Sequence, residues 1–258
     1  MHDASTSGAR LRTVSGAEIA IVLAAMLVAW TVKAVTGMGG PIIVVPVTSL
    51  FVDVETAVAV VAFPNLLSNA LLAARERDHV SETRDLPVLA GFGVLGAIAG
   101  AFVFVHAPEE PLVVLLIVAI ALYVITFLAT PDLRVGPERS ARLAPGVGVL
   151  GGGFQGAIGI SGPIIGSWIH SYRLPRSAHV LSVTSLFFIT GVAQFVVIAA
   201  NGELAGRFAV SLLACVPVLI SIPIGTRLRD RLDRRTFDLS IIALLCVAIV
   251  ALSIRTFV

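Results

Sequence analysis

Lys33 lies deep in an apolar stretch that continues to Phe51. An ammonium at the centre of a membrane helix costs about 2.5 to 3.5 kcal/mol on insertion scales. That cost calls for a partner, and an anionic substrate would supply one. The alternative is a lysine near a helix end, snorkelling to the interface. Four residues later comes Gly37-Met38-Gly39-Gly40-Pro41-Ile42-Ile43, which returns as Gly159-Ile160-Ser161-Gly162-Pro163-Ile164-Ile165 with five of seven positions identical. The offset of 122 residues makes Gln155, a neutral donor and acceptor, the counterpart of Lys33. Two halves with one charge between them suit a monoanion or an oxyanion with shared protons.

Each copy of the motif interrupts an apolar run with glycines and a proline. In hydrocarbon such a break frees backbone polar groups, which is tolerable only inside protein or along a cavity. Paired breaks in two halves point to a substrate site at the repeat interface. A helix restarting after Gly40-Pro41 or Gly162-Pro163 would offer N–H groups and the positive end of its dipole to an anion. Proline suits that first turn, where its missing N–H costs nothing. Ser161 would add a hydroxyl donor, with Met38, Ile160 and the flanking isoleucines as walls. Asn65, Ser68 and Asn69 follow Pro64, and Thr184, Ser185, Thr190 and Gln194 mark the equivalent stretch. Such side chains also commonly bond helix to helix. The candidate substrate-binding set is Lys33, Gly37, Gly39, Gly40, Pro41, Asn65, Gln155, Gly159, Ser161, Gly162, Pro163, Thr184 and Ser185.

The elements that hold these residues read as membrane helices. Of 258 residues 57% are hydrophobic and 13% charged, with mean hydropathy +0.99, against about a quarter charged in a soluble domain. A net charge of +2 gives no footprint for nucleic acid. Cys215 and Cys246 lie in apolar segments and read as buried thiols. After a polar tail, residues 1–15, apolar spans run over Gly16 to Thr36, Pro41 to Phe51, Val54 to Ala74, Leu86 to Val105 and Leu112 to Thr130. A polar linker follows, and the order repeats over Ala144 to Ile158, Pro163 to Ile169, Ala178 to Ala200, Phe208 to Thr226 and Phe237 to Ile254. Most are near the roughly 20 residues that cross a bilayer. The expected fold is an all-α polytopic membrane protein with about eight long helices and two short Gly-Pro segments. It divides into a first repeat, 16–130, a cytoplasmic linker, 131–143, and a second repeat, 144–258.

The arginines of the two copies sit in opposite loops. Arg75 to Asp85 holds three, whereas the loops Phe51 to Glu55 and His106 to Pro111 hold none. In the second copy Tyr172 to Ser177 holds two and Arg227 to Arg235 five, while Asn201 to Arg207 holds one. Basic loops face the cytoplasm, so the halves are expected to be inverted, with the short Gly-Pro segment counted as a crossing element. Both termini would then be external, although Arg10 and Arg12 pull the other way. Gly96 and Gly100, Gly148 and Gly152, and Gly162 and Gly166 are spaced for close helix packing.

The paired glycine motifs, Pro175-Arg176-Ser177-Ala178, Val183-Thr184-Ser185 and Gly202-Glu203-Leu204 resemble the TauE/SafE family of sulfite exporters over nearly the whole chain. Gly39-Gly40-Pro41 and Ser161-Gly162-Pro163 stand where that family often has three glycines, which suggests a divergent branch. The resemblance implies a multi-pass transporter in a prokaryotic inner membrane for small sulfur-containing anions such as sulfite, thiosulfate or organosulfonates. From the residues alone, another small anion, a channel or a non-transporting accessory subunit stays open, as do a coupling ion and a homo-oligomer. No helical HExxH, cysteine pair, Walker loop or pair of intramembrane carboxylates is present. No enzyme, metal or cofactor is expected; the partners are a small anion and the lipid bilayer.

Overall fold

The computed structural model describes residues 16–129 and 134–228, and every element among them is helical. Helices α1 (Gly16–Thr36) and α2 (Gly40–Thr48) flank the first break, followed by α3 (Val54–Arg75), α4 (Leu86–His106) and α5 (Glu109–Ala129). Then come α6 (Pro137–Ile158), a π-helical turn (Gly162–Gly166) leading into α7 (Ser167–Ser171), α8 (Arg176–Ala200), α9 (Phe208–Leu213) and α10 (Cys215–Leu228). The elements recur at the sequence offset, α1 answering to α6, α2 to the π-turn and α7, α3 to α8, and α4 to the α9–α10 pair.

The two breaks begin alike. Gly37 (φ 81) and Gly159 (φ 72) both take the left-handed conformation that glycine adopts without a Cβ clash. Their N–H groups bond back to the carbonyls of Lys33 at 2.7 Å and Gln155 at 2.8 Å. Downstream they differ. The first restarts as an α-helix with Pro41 in its opening turn; the second opens as a π-turn, a form frequent at functional sites.

Packing is reciprocal. The first helix of each half lies against the fourth of the other, α1 on α10 and α6 on α4, while α3 and α8 meet in the middle. The α4–α6 contact is backbone on backbone: a Cβ on Gly152 would stand 2.0 Å from the Gly93 carbonyl oxygen, and one on Gly96 2.1 Å from that of Val149. The expected close packing at Gly96, Gly100, Gly148 and Gly152 is present. The Gly162–Gly166 pair serves no such seam, because Gly166 packs on Met38 and nothing lies within 4 Å of a Cβ on Gly162.

Prolines explain two irregularities. Pro64 cannot donate to the carbonyl of Val60, and the Ser211 hydroxyl donates to that oxygen instead, at 2.8 Å. Pro217 likewise leaves the Leu213 carbonyl without its helical partner, and α9 ends at Leu213. The single helix expected over Phe208 to Thr226 is therefore two.

Five stretches among the described residues are long and apolar enough to cross a membrane: α3, α4, Glu109–Thr126 of α5, α8 and Phe208–Leu228. The expected count of about eight is not confirmed by these five. Helix α6 is diluted by glycines and by Glu138, Arg139 and Arg142, and Phe237 to Ile254 lies outside the described residues. Helix α6 also starts at Pro137, inside the expected linker. Large apolar side chains such as Leu95, Leu150 and Leu213 remain exposed on the outer helices, as a lipid-facing surface requires. Of these five stretches α3 is the most buried, 67% of its span against 28% for α5.

The loops gather in two sets. Arg84 donates to the carbonyls of Val135 at 3.2 Å and Tyr172 at 3.0 Å, and Arg75 to the Thr226 hydroxyl at 3.2 Å. Tyr172 in turn donates to Asp85 at 2.9 Å; burial, together with that bond, pushes the phenol well above its ordinary range and keeps it protonated. Elsewhere the Val54 N–H reaches Glu109 at 3.4 Å. There Asp53 caps α3 through the Thr56 N–H at 2.6 Å. Burial alone would raise the Asp53 carboxyl, but the Thr56 hydrogen bonds and the Arg207 charge outweigh it and hold the group below its usual range.

Candidate substrate site

The two breaks face one cavity with about 300 Å³ of empty space, its open mouth included. The first half contributes Met38, Gly39, Pro41 and Ile42 from its break, Asn65 from α3 and Tyr123 from α5. From the second half come Gln155 at the end of α6, the run Gly159-Ile160-Ser161-Gly162, and Phe187 of α8. The cavity is small. Its walls are mostly apolar, with the Tyr123 phenol and three buried polar side chains, Asn65, Gln155 and Ser161, all three at most 4% exposed.

Each polar side chain belongs to a network on its own side. Lys33 Nζ donates to Asn65 Oδ1 at 2.5 Å, and Asn69 Nδ2 donates to the same oxygen at 3.2 Å. The ammonium also stands 5.3 Å from the Trp30 ring centre and 5.9 Å from that of Phe187, within the reach of cation–π attraction. Opposite, Ser161 Oγ donates to Gln155 Oε1 at 3.0 Å, Gln155 Nε2 to Gln194 Oε1 at 3.2 Å, and Gln194 Nε2 to the Gly156 carbonyl at 3.1 Å.

Of the sequence candidates, Gly39, Pro41, Asn65, Gln155, Gly159, Ser161 and Gly162 line the cavity. Lys33 stands one layer behind, at 1% exposure. It neither snorkels nor faces the cavity directly, because Asn65 and two aromatic rings already partner the ammonium. Gly37 packs against Val180, and a Cβ on Gly40 would lie 2.3 Å from the Trp30 ring. Pro163 is turned into the protein, and the Thr184 hydroxyl bonds back to Val180 in its own helix at 2.7 Å. Ser185 is likewise absent from the cavity wall. Sequence reasoning missed Phe187 and Tyr123. Phe187 is the repeat counterpart of Asn65 at the same 122-residue offset, so the repeat could have exposed it. Tyr123 carried a weaker signal, a phenol in an otherwise apolar span.

Among the described residues no group of three or more His, Cys, Asp or Glu side chains could hold a metal ion. The arrangement is suited to binding rather than bond making: buried neutral donors and acceptors, with a cation held behind them. Neither a curated protein nor a solved structure matches the chain. The family model described as Sulfite exporter TauE/SafE matches residues 21–252. That match spans both breaks and every element lining the cavity, and five stretches among the described residues are long and apolar enough for a membrane. The chain is a multi-pass membrane protein that belongs to the TauE/SafE sulfite exporter family, a family of membrane transporters rather than enzymes.

Proposed function

We propose that this chain is a secondary transporter carrying small sulfur-containing anions, such as sulfite, thiosulfate or organosulfonates, across a prokaryotic inner membrane. The observation that carries this reading is the meeting of both broken segments at one cavity. Three buried polar side chains converge there, with a single ammonium behind them. Broken helices at a repeat interface are where transporters of this architecture hold substrate, and their unwound backbone can replace part of an anion's hydration.

The halves are inverted, and the cavity opens alternately to either side as one half rocks on the other. The loop contacts support this. Arg84, Val135 and Tyr172 meet, and Arg75 meets Thr226, so the arginine-rich segments of both halves gather on one side. Loop residues Asp53 and Glu109 lie with Val54 and Arg207 in the other set. Equivalent loops, Phe51 to Glu55 and Tyr172 to Ser177, thus fall in opposite sets, the cytoplasmic one being the basic one.

Flux of labelled sulfite and thiosulfate into proteoliposomes tests the function. Saturable uptake is expected for a carrier, and no flux of any sulfur anion would refute it. Cysteines at Ser81 and Thr236 should both label from the cytoplasm; labelling from opposite faces would overturn the inversion.

A further inference from the structure

The two networks at the cavity are anchored by groups that can act in only one direction. A lysine ammonium donates and cannot accept, whereas a backbone carbonyl accepts and cannot donate. These anchors settle amide orientations that geometry alone leaves ambiguous. On the first side, Asn65 presents Oδ1 to both Lys33 Nζ and Asn69 Nδ2. Its Nδ2 is thereby turned away from both, on a side chain that lines the cavity. In this orientation the first half presents a donor at the cavity wall.

On the second side the logic runs the other way. The Gly156 carbonyl fixes the nitrogen of Gln194 against itself, so Gln194 Oε1 faces Gln155. Gln155 therefore gives its nitrogen to Gln194 and its oxygen to Ser161. The Ser161 hydrogen is consumed by that bond, and the oxygen keeps lone pairs at the cavity wall. Gln155, also on the wall, keeps one further N–H. The second half thus ends in an acceptor beside a donor. All of these side chains are at most 4% exposed, so neither polarity is averaged away by water. The asymmetry traces to the two anchors, Lys33 on one side and the Gly156 carbonyl acting through Gln194 on the other.

Resting on the transport reading above, we infer that the cavity recognises an anionic head group bearing a hydrogen-bond donor of its own. A singly protonated sulfur oxyanion such as hydrogen sulfite fits this description. Its bare oxygens accept from Asn65 and Gln155, and its hydroxyl donates to Ser161 Oγ. A head group that only accepts leaves Ser161 without a partner and sets its own oxygen against the serine lone pairs.

Sulfamate and methanesulfonate test this with the purified full-length protein. They share charge and shape and differ in an amino group that donates against a methyl that does not. Calorimetric titration should show sulfamate bound about tenfold more tightly, the size expected for one buried hydrogen bond and its unmet partner. In Ser161→Ala the ratio should fall to about twofold or less, the acceptor being gone. Gln194→Met leaves the cavity wall intact but releases Gln155 to turn over, and should shrink the ratio as well. Equal binding of the two probes by wild type, or an unchanged ratio in Ser161→Ala, overturns the inference while sulfite binding still upholds the transport reading. If folded wild type binds neither probe and no sulfite or thiosulfate, both fall together.

Discussion

The first and second breaks share five of seven residues and the same left-handed glycine at their start, yet they do different work. In the first, Gly40 is buried against Trp30 and the polar network begins at a charge. In the second, Gly162 faces open space and the network ends on a main-chain carbonyl. A duplicated backbone plan therefore does not dictate duplicated chemistry. The anchors, Lys33 in one half and the Gly156 carbonyl in the other, decide how the surrounding amides point.

The largest expected contrast is between the two glycines. Gly40→Leu places a Cβ 2.3 Å from the Trp30 ring, and overpacking of this kind costs roughly 1 to 3 kcal/mol or more. It should lower yield and thermal stability as well as transport. Gly162→Leu meets nothing within 4 Å at its Cβ, so it should insert and fold normally while its side chain fills the cavity and abolishes flux. Equal stability loss in both variants would erase the distinction drawn between the breaks.

Next comes the charge. Lys33→Met removes a charged hydrogen bond, worth roughly 1.5 to 3 kcal/mol, and releases Asn65 from its fixed orientation, so anion affinity should drop by about tenfold or more. Folding should be equal or better, because a desolvated ammonium is gone. Lys33→Arg keeps the charge on a planar fork and should bind weakly with altered selectivity. Gln155→Met removes neutral bonds of about 0.5 to 1.5 kcal/mol and should do less harm. Titration of sulfite into each variant gives the order, and a milder effect for Lys33→Met than for Gln155→Met would reverse the roles assigned to the two sides.

The smallest effect lies outside the cavity. Asp53 caps α3, whereas its counterpart at the start of α8, Pro175, provides no side-chain cap. Asp53→Ala should cost about 0.5 to 2 kcal/mol, read as a lower melting temperature, and Pro175→Ala should not remove any cap. Because the folded Asp53 carboxyl is held below its usual range, its contribution is complete above the unfolded value of about 3.9 and is lost as pH falls through the lower folded value. The difference in melting temperature between wild type and Asp53→Ala should therefore shrink in acid. A constant difference would mean that the carboxylate charge plays no part in the cap.

Much of the helical plan is visible in the chain itself. Apolar run length and the placement of glycine and proline mark α1 from Gly16 to Thr36 and the start of α3 at Val54, because helix formation in lipid is enforced locally by backbone hydrogen bonding. The 122-residue repeat likewise announces that two breaks exist and carry Asn65, Gln155 and Ser161 near them. What the chain could not announce is which face of each break meets a neighbour. Gly40 and Gly162 are identical in sequence, but only packing against Trp30 makes one structural and leaves the other at the cavity. Nor could spacing alone reveal that Lys33 is already partnered by Asn65, or that Gly156 fixes the amides of Gln194 and Gln155 in turn. Hydrogen-bond direction depends on which donors and acceptors the tertiary structure brings within about 3 Å of each other, and these come from helices far apart in the chain.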